Sequence, residues 1–137
     1  DHLTGLITDK NHELCGEFLK DNLLVFPYAV GSSVGAYSIF ALKCNGVSPS
    51  GIICTLKTDI TTASGCAIAN IPLLELSKDQ EIPEIENFSE GTVDGISGIL
   101  QIKRFNLIWL IYFKRCMAFD GRPDPNKGYE EKSPCTV

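Results

Sequence analysis

The stretch Leu107-Ile108-Trp109-Leu110-Ile111-Tyr112-Phe113 is the longest apolar run in the chain, and Lys114 and Arg115 end it. Both sets of alternating positions are apolar, so a strand here would have two apolar faces and would be covered on both. A helix is the competing interpretation, but enrichment in branched and aromatic residues favours a strand. We therefore predict a central β-strand with Trp109 in its interior. Residues 96–119 are too long for one strand, which predicts a break near 103–106.

The segments that precede this run also favour β-structure. Residues 23–30 are apolar and interrupted by Pro27, which suits an edge strand or the start of a strand. Residues 34–44 are rich in aromatic and branched side chains. Residues 52–58 alternate in polarity, and 66–74 form a further strand candidate that Pro72 shortens. Residues 59–64 are interpreted as a polar connection, and the acidic segment 77–95 as a long solvated loop.

Only the N-terminal segment 9–22 predicts a helix, with Asp9 as its N-cap and apolar residues at helical spacing. The predicted fold is therefore mainly β: one domain, residues 1–137, forming an antiparallel sandwich or barrel with a short N-terminal helix. The sequence pattern leaves sandwich and barrel open, because both alternate in the same way.

An even number of widely spaced cysteines indicates three disulfides and an oxidising compartment; the six are Cys15, Cys44, Cys54, Cys66, Cys116 and Cys135. Reduced, buried thiols are the alternative. We predict a Cys54–Cys66 bridge across a turn near Ile60, and a Cys116–Cys135 bridge that pins the C-terminal tail. No two cysteines have the two-residue separation of a zinc site, so no metal is expected.

Three observations favour a secreted glycoprotein. The disulfide prediction implies an oxidising compartment, and a chain starting at Asp1 resembles a mature protein after signal-peptide removal. Asn87-Phe88-Ser89 is an N-glycosylation acceptor, which makes Asn87 the expected site of a glycan. We therefore expect an extracellular location.

Charge and motifs argue against several functions. The net charge of −5 is opposite to that of a typical nucleic-acid binder, and no segment approaches the roughly 20 apolar residues of a membrane span. Both histidines, His2 and His12, lie in the first twelve residues, away from any nucleophile motif. The chain also lacks a phosphate loop and a dinucleotide-binding fingerprint. We therefore expect neither enzymatic activity nor a cofactor.

The aromatic residues supply the remaining functional hypothesis. Tyr37, Phe40, Trp109 and Tyr112 are candidates to line a cavity for a small apolar ligand, although they equally suit a packed core. The predicted function is a secreted binding protein for an apolar ligand or a protein partner. The alternatives are a self-associating structural subunit of an extracellular material and, third, an extracellular hydrolase.

Overall fold

The computed structural model describes residues 1–30, 32–76, 85–87, 89–104, 107–112, 115–117 and 135–136, with side chains up to residue 103. The elements in chain order are β1 (Leu23–Phe26), α1 (Gly35–Cys44), β2 (Gly51–Cys54), α2 (Ile60–Ala69), β3 (Leu73–Glu75), β4 (Glu90–Asp94), β5 (Ile99–Arg104), β6 (Leu107–Tyr112), β7 (Arg115–Met117) and β8 (Cys135–Thr136).

The strands form two sheets of different character. The first sheet has the order β1-β2-β3-β7, in which β1, β2 and β3 are parallel and β7 pairs antiparallel with β3. The second sheet has the order β6-β5-β4-β8 and is antiparallel throughout. The fold is therefore α/β with mixed sheets, and the prediction of an antiparallel sandwich or barrel is wrong.

Parallel strands explain why helices stand where strands or loops were expected. A chain that must return to start a parallel neighbour needs a long crossover, usually a helix. Residues 34–44 accordingly form α1 between β1 and β2, and the supposed polar connection 59–64 opens α2 between β2 and β3. Because α2 fills residues 60–69, the predicted hairpin that would join Cys54 to Cys66 does not exist.

Alternation along the first sheet divides the core into two clusters. Leu23, Ile53 and Leu74 point toward the second sheet and pack with Leu100 and Ile102. The strand residues next to these point toward the helices and form the second cluster. Its buried members are Ile52, Cys54, Cys66, Ala69, Ile71 and Leu73, and the partly buried Leu24, Phe26 and Ile39 pack against them. The first sheet is thus the middle layer between the helices and the second sheet.

The N-terminal segment contains no helix, contrary to prediction. Gly16 has a φ of +95°, which is incompatible with a continuous helix, and its N–H donates to the Ile7 carbonyl. An antiparallel bridge joins Leu6 to Phe18, so the segment folds back on itself. The helical spacing of its apolar residues was therefore misleading.

Cys15, Cys44, Cys54 and Cys66 are all free, so the predicted disulfide framework is wrong for these four residues. Cys54 and Cys66 are buried in the helix-facing core, whereas Cys15 and Cys44 are exposed. The side chains of Cys116 and Cys135 lie outside the described part of the chain, as does most of the tail that their bridge was expected to pin.

The apolar run 107–113 does form a strand, β6. The predicted interruption near 103–106 is confirmed, because β5 ends at Arg104 and β6 begins at Leu107. Among the described strands, however, β6 lies at the end of the second sheet and pairs with β5, so its predicted central position is wrong. The predicted acidic loop 77–95 is also partly wrong, since Glu90–Asp94 is β4. Residues 77–84 lie outside the described residues.

Candidate functional site

A pocket of about 220 Å³ lies between α1 and the helix-facing side of the first sheet. Its apolar wall includes Leu24, Phe26 and Ile52 from the strands and Ile39 and Leu42 from α1. Its polar lining comes from segments that follow the carboxyl ends of β1 and β2. In sheets with parallel strands, this edge is where ligands generally bind.

Ser32 brings a hydroxyl to the pocket at the start of α1. Its Oγ accepts a hydrogen bond from the Val34 N–H at 3.1 Å, and its carbonyl accepts one from the Gly35 N–H at 2.9 Å. These two hydrogen bonds form a turn that leads the chain into α1, whose N-cap is Val34. The Oγ remains able to donate its own proton to a bound ligand, because a hydroxyl both donates and accepts. Gly35 lines the pocket beside it, at the positive end of the helix dipole.

Asp59, Thr61 and Thr62 line the pocket at the start of α2, and a Cβ built on Gly35 would lie 3.2 Å from Thr61 Cγ2. Asp59 is the N-cap of α2: its Oδ1 accepts from the backbone N–H groups of Thr61 and Thr62 at 2.7 and 2.9 Å. Its Oδ2 accepts from the Thr62 hydroxyl at 2.7 Å. Both carboxylate oxygens are therefore occupied by hydrogen bonds within the chain.

These contacts determine the ionisation of Asp59. Burial opposes the charged form, but the hydrogen bonds from Thr62 and Thr61 together outweigh it and lower the pKa of the carboxyl below its ordinary value. A carboxylate with a lowered pKa is a poor proton acceptor, so Asp59 is suited to fixing the start of α2 and not to acid–base catalysis.

A second group of polar residues lies below α2 at the ends of β2 and β3. The Thr58 N–H donates to Glu75 Oε2 at 2.8 Å, which ties the β2–α2 connection to the end of β3. Burial raises the pKa of the Cys54 thiol, and burial with the nearby Cys54 raises the pKa of the Cys66 thiol to about 12. Both thiols are therefore protonated and unreactive near neutral pH.

The structure does not show the predicted aromatic site as a cluster. Tyr37 and Phe40 are exposed on α1, in the helical layer, and Trp109 and Tyr112 belong to β6 in the second sheet. The side chains of Trp109 and Tyr112 lie outside the described residues, so their grouping stays a prediction. Asn87 is exposed, and its glycosylation is likewise untested.

The residues that do line the pocket were missed by the sequence interpretation. Ser32 lies between the predicted strands 23–30 and 34–44, where no functional residue was expected. The signal for α2 was available: Asp59 stands directly before the apolar Ile60, and Asp in that position is a typical N-cap. Among the described residues, no helix has the length and apolarity to span a membrane, and no group of three or more potential ligands is arranged to hold a metal ion.

Comparison with known proteins gives this pocket a family context. The sequence model of the aconitase X swivel domain matches residues 1–102, which include both helices and the entire described pocket. The chain belongs to the aconitase X swivel domain family. The match ends within β5, so β6, β7 and β8 lie beyond it.

Curated relatives and a solved structure agree with this assignment. The phosphomevalonate dehydratase small subunit of Methanocella arvoryzae is 35% identical over 99 residues, covering 72% of this chain and 74% of the relative. That of Methanococcoides burtonii is 35% identical over 102 residues, covering 74% of each. The crystal structure of Thermococcus kodakaraensis aconitase X in its holo-form is 32% identical with a TM-score of 0.68, covering 76% of both chains.

These findings correct the functional predictions. The family is one of enzyme subunits, so the predictions of a non-enzymatic secreted binding protein, of a structural subunit and of an extracellular hydrolase are wrong. A small apolar ligand is no longer the expected partner, because the relatives are named as small subunits of a dehydratase. The extracellular location and the glycoprotein assignment lose their basis with the four free cysteines and these relatives.

Proposed function

We propose that this chain is the small subunit of a phosphomevalonate dehydratase and that its pocket forms one wall of the active site. The observation that carries the proposal is the match to dehydratase small subunits across the whole segment that builds the pocket. The position of the pocket at the carboxyl edge of the parallel strands supports the same function.

Dehydration breaks a C–H bond and a C–OH bond on neighbouring carbons, with formation of a C=C bond and release of water. The reaction needs a base that accepts the proton and a group that assists departure of the hydroxyl. The substrate is also a phosphate ester, so the site must hold negative charge. Different residues of this pocket meet these needs to different degrees.

The start of α1 is suited to a polar or anionic part of the substrate. The Ser32 hydroxyl can donate a hydrogen bond, and the helix N-terminus beside Gly35 favours negative charge. The apolar wall formed by Phe26, Ile39 and Ile52 suits the hydrocarbon part. In this proposal the chain binds and orients the substrate, while acid–base groups come from the large subunit.

The test is dehydration of phosphomevalonate by this chain combined with the large aconitase X subunit of the same organism. Wild-type complex should form a product lighter by one water, detected by mass spectrometry. Ser32→Ala should lower kcat/KM at least tenfold, because one hydrogen bond to a charged group is worth about 1.5–3 kcal/mol. Ser97→Ala, in the exposed β4–β5 turn, is the matched control and should leave the rate unchanged. Equal rates for both variants would exclude Ser32 from the site.

A further inference from the structure

The pocket runs beneath α1 from one edge of the first sheet to the other. Ser32 and Asp59 line it after the carboxyl ends of β1 and β2, whereas Leu19 and Pro49 line it just before these two strands begin. Leu42, in the last turn of α1, lines it as well. The pocket therefore has an outer end at the carboxyl edge of the sheet and an inner end at the amino edge.

The two ends of the pocket differ in polarity. The polar side chains among the described lining residues all follow the carboxyl ends of β1 and β2, at the outer end. The inner end is apolar and consists of Leu19, Leu24, Leu42 and Pro49. A polar group buried there would find no side-chain partner among these residues, which is unfavourable. The inner end is therefore suited to an alkyl group.

A second cavity, of about 60 Å³, adjoins the inner end of the pocket. Its lining includes Ile7, Leu14 and Phe18 from the N-terminal segment. Leu19 and Leu24 line both cavities. The side chains of these two leucines thus stand between the cavities and close the inner end of the pocket.

The backbone holds both leucines in place. The Leu19 N–H donates to the Gly5 carbonyl at 2.8 Å, and the Leu19 carbonyl accepts from the Asn22 N–H at 3.2 Å. Leu24 belongs to β1 and is paired in register with Ile52 of β2. Both side chains are only half-buried, so shortening either one removes part of a wall without emptying the centre of the core. The folded-back N-terminal segment therefore has a definite role, because it carries Leu19 to the pocket.

The substrate of the proposed reaction has one group that matches the inner end. Phosphomevalonate carries a carboxylate, a hydroxyl and a phosphate, and its only alkyl branch is the methyl group on the carbon that bears the hydroxyl. A cavity of about 150 Å³ is enough to hold a benzene ring. A pocket of about 220 Å³ is therefore larger than a methyl branch needs at its inner end.

We infer that Leu19 and Leu24 set the length of the alkyl branch that the enzyme accepts, and that branches longer than methyl fit the pocket. This inference rests on the function proposed above and widens its substrate class. The class consists of phosphorylated 3-hydroxy acids with an alkyl branch on the hydroxyl-bearing carbon. Leu19 and Leu24 act as specificity-determining residues and take no part in proton transfer.

The test uses homologues of phosphomevalonate in which ethyl, propyl or butyl replaces the methyl branch. The complex of this chain with the large subunit is assayed for a product lighter by one water. Wild-type complex should dehydrate the ethyl homologue with a kcat/KM within tenfold of that for phosphomevalonate. Once the branch reaches Leu19 and Leu24, kcat/KM should fall by about tenfold or more for each further methylene.

Leu19→Ala and Leu24→Ala each open the pocket toward the smaller cavity. Each should raise the ratio of kcat/KM for the butyl homologue to kcat/KM for phosphomevalonate at least tenfold. Leu14→Ala is the matched control, since Leu14 is also half-buried but lines only the smaller of the two cavities. Its ratio should stay within twofold of wild type. Because the ratio is measured within one variant, it does not depend on the fraction of folded protein.

An unchanged ratio in both Leu19→Ala and Leu24→Ala would overturn the inference, and so would an equal rise in Leu14→Ala. A wild-type kcat/KM that falls a hundredfold already at the ethyl homologue would overturn it as well. In each of these cases phosphomevalonate itself is still dehydrated, so the proposed function stands. If wild-type complex does not dehydrate phosphomevalonate, the proposed function fails and the inference fails with it.

Discussion

At the scale of single residues, Asp59 connects the start of α2 to the pocket through the three hydrogen bonds that its carboxylate accepts. Replacing an N-cap aspartate by alanine typically costs about 1 kcal/mol of stability. We expect Asp59→Ala to lower the free energy of unfolding by about that amount in urea titrations. Asp59→Asn keeps an acceptor for the backbone N–H groups and should lose less.

The same residue predicts a pH dependence. Because the pKa of Asp59 is lower in the folded chain than in the unfolded chain, its contribution to stability is present above the unfolded value of about 3.9. This contribution is lost as the pH falls through the lowered folded pKa. The stability difference between wild type and Asp59→Asn should therefore shrink on acidification from pH 6 to pH 3. A difference that is constant over this range would show that the capping carboxylate is not ionised as described.

The cysteines allow a direct check of the corrected redox assignment. Exposed Cys15 and Cys44 should react with iodoacetamide in the native protein within minutes. Cys54 and Cys66 should be protected, because they are buried and burial raises the pKa of both thiols. Peptide mass spectrometry after brief labelling measures all four. A disulfide-linked peptide containing Cys54 and Cys66 would contradict the structure.

At the scale of elements, the contact between α1 and α2 depends on Gly65. A Cβ built on Gly65 would lie 2.9 Å from Ile39 Cδ1 and 3.0 Å from Ala36 Cα. Gly65→Ala gains up to about 1 kcal/mol in helix propensity, but overpacking of a close contact costs about 1–3 kcal/mol. We expect net destabilisation in urea unfolding, with α1 displaced from its place over the pocket.

Ser64→Ala is the matched control for this prediction, since Ser64 precedes Gly65 in the same helix and is exposed. The substitution raises helix propensity and removes an exposed hydrogen bond that the Ser64 hydroxyl donates to the Thr61 carbonyl at 3.0 Å, so the free energy of unfolding should change by a few tenths of a kcal/mol at most. Stabilisation by Gly65→Ala as well would show that the two helices are not packed this closely.

The elements also show how far local pattern determines the fold. Strands β1 and β6 and the break before β6 agree with the predictions from the two apolar runs and from the length of segment 96–119. The predicted strand 52–58 is only partly correct, because β2 ends at Cys54 and is buried at every position instead of alternating. Helices α1 and α2 did not follow, because branched and aromatic residues that favour strands also suit helices packed on a sheet. Only the parallel pairing of β1, β2 and β3 requires these crossovers, and such pairing is a property of contacts distant in sequence.

At the scale of the whole molecule, the three layers explain why the site was not predictable from motifs. The first sheet is buried between the helices and the second sheet, so it fixes the ends of β1 and β2, where the pocket forms. Ser32 and Asp59 are 27 positions apart and come together only through this arrangement. Their residue types are those of ordinary helix caps, and they carry no catalytic signature of their own.

The absence of a catalytic motif also led to the incorrect prediction that the chain is not an enzyme. In the proposed complex that absence has a physical reason: one chain supplies binding surface and helix termini, and the other supplies the acid–base groups. A search for a complete set of catalytic residues within one sequence then fails for each of the two chains. Family comparison succeeds because it depends on the whole fold and not on a reactive cluster.

The most direct test of this account is a titration of a fixed amount of the large subunit with this chain while the dehydration rate of phosphomevalonate is followed. Each chain alone should be essentially inactive, because neither contains the whole site. The rate should rise with added chain and level off at one chain per large subunit. Full activity of the large subunit alone, or no activity at any ratio although the two chains form a complex, would contradict the assignment of this chain as a dehydratase small subunit.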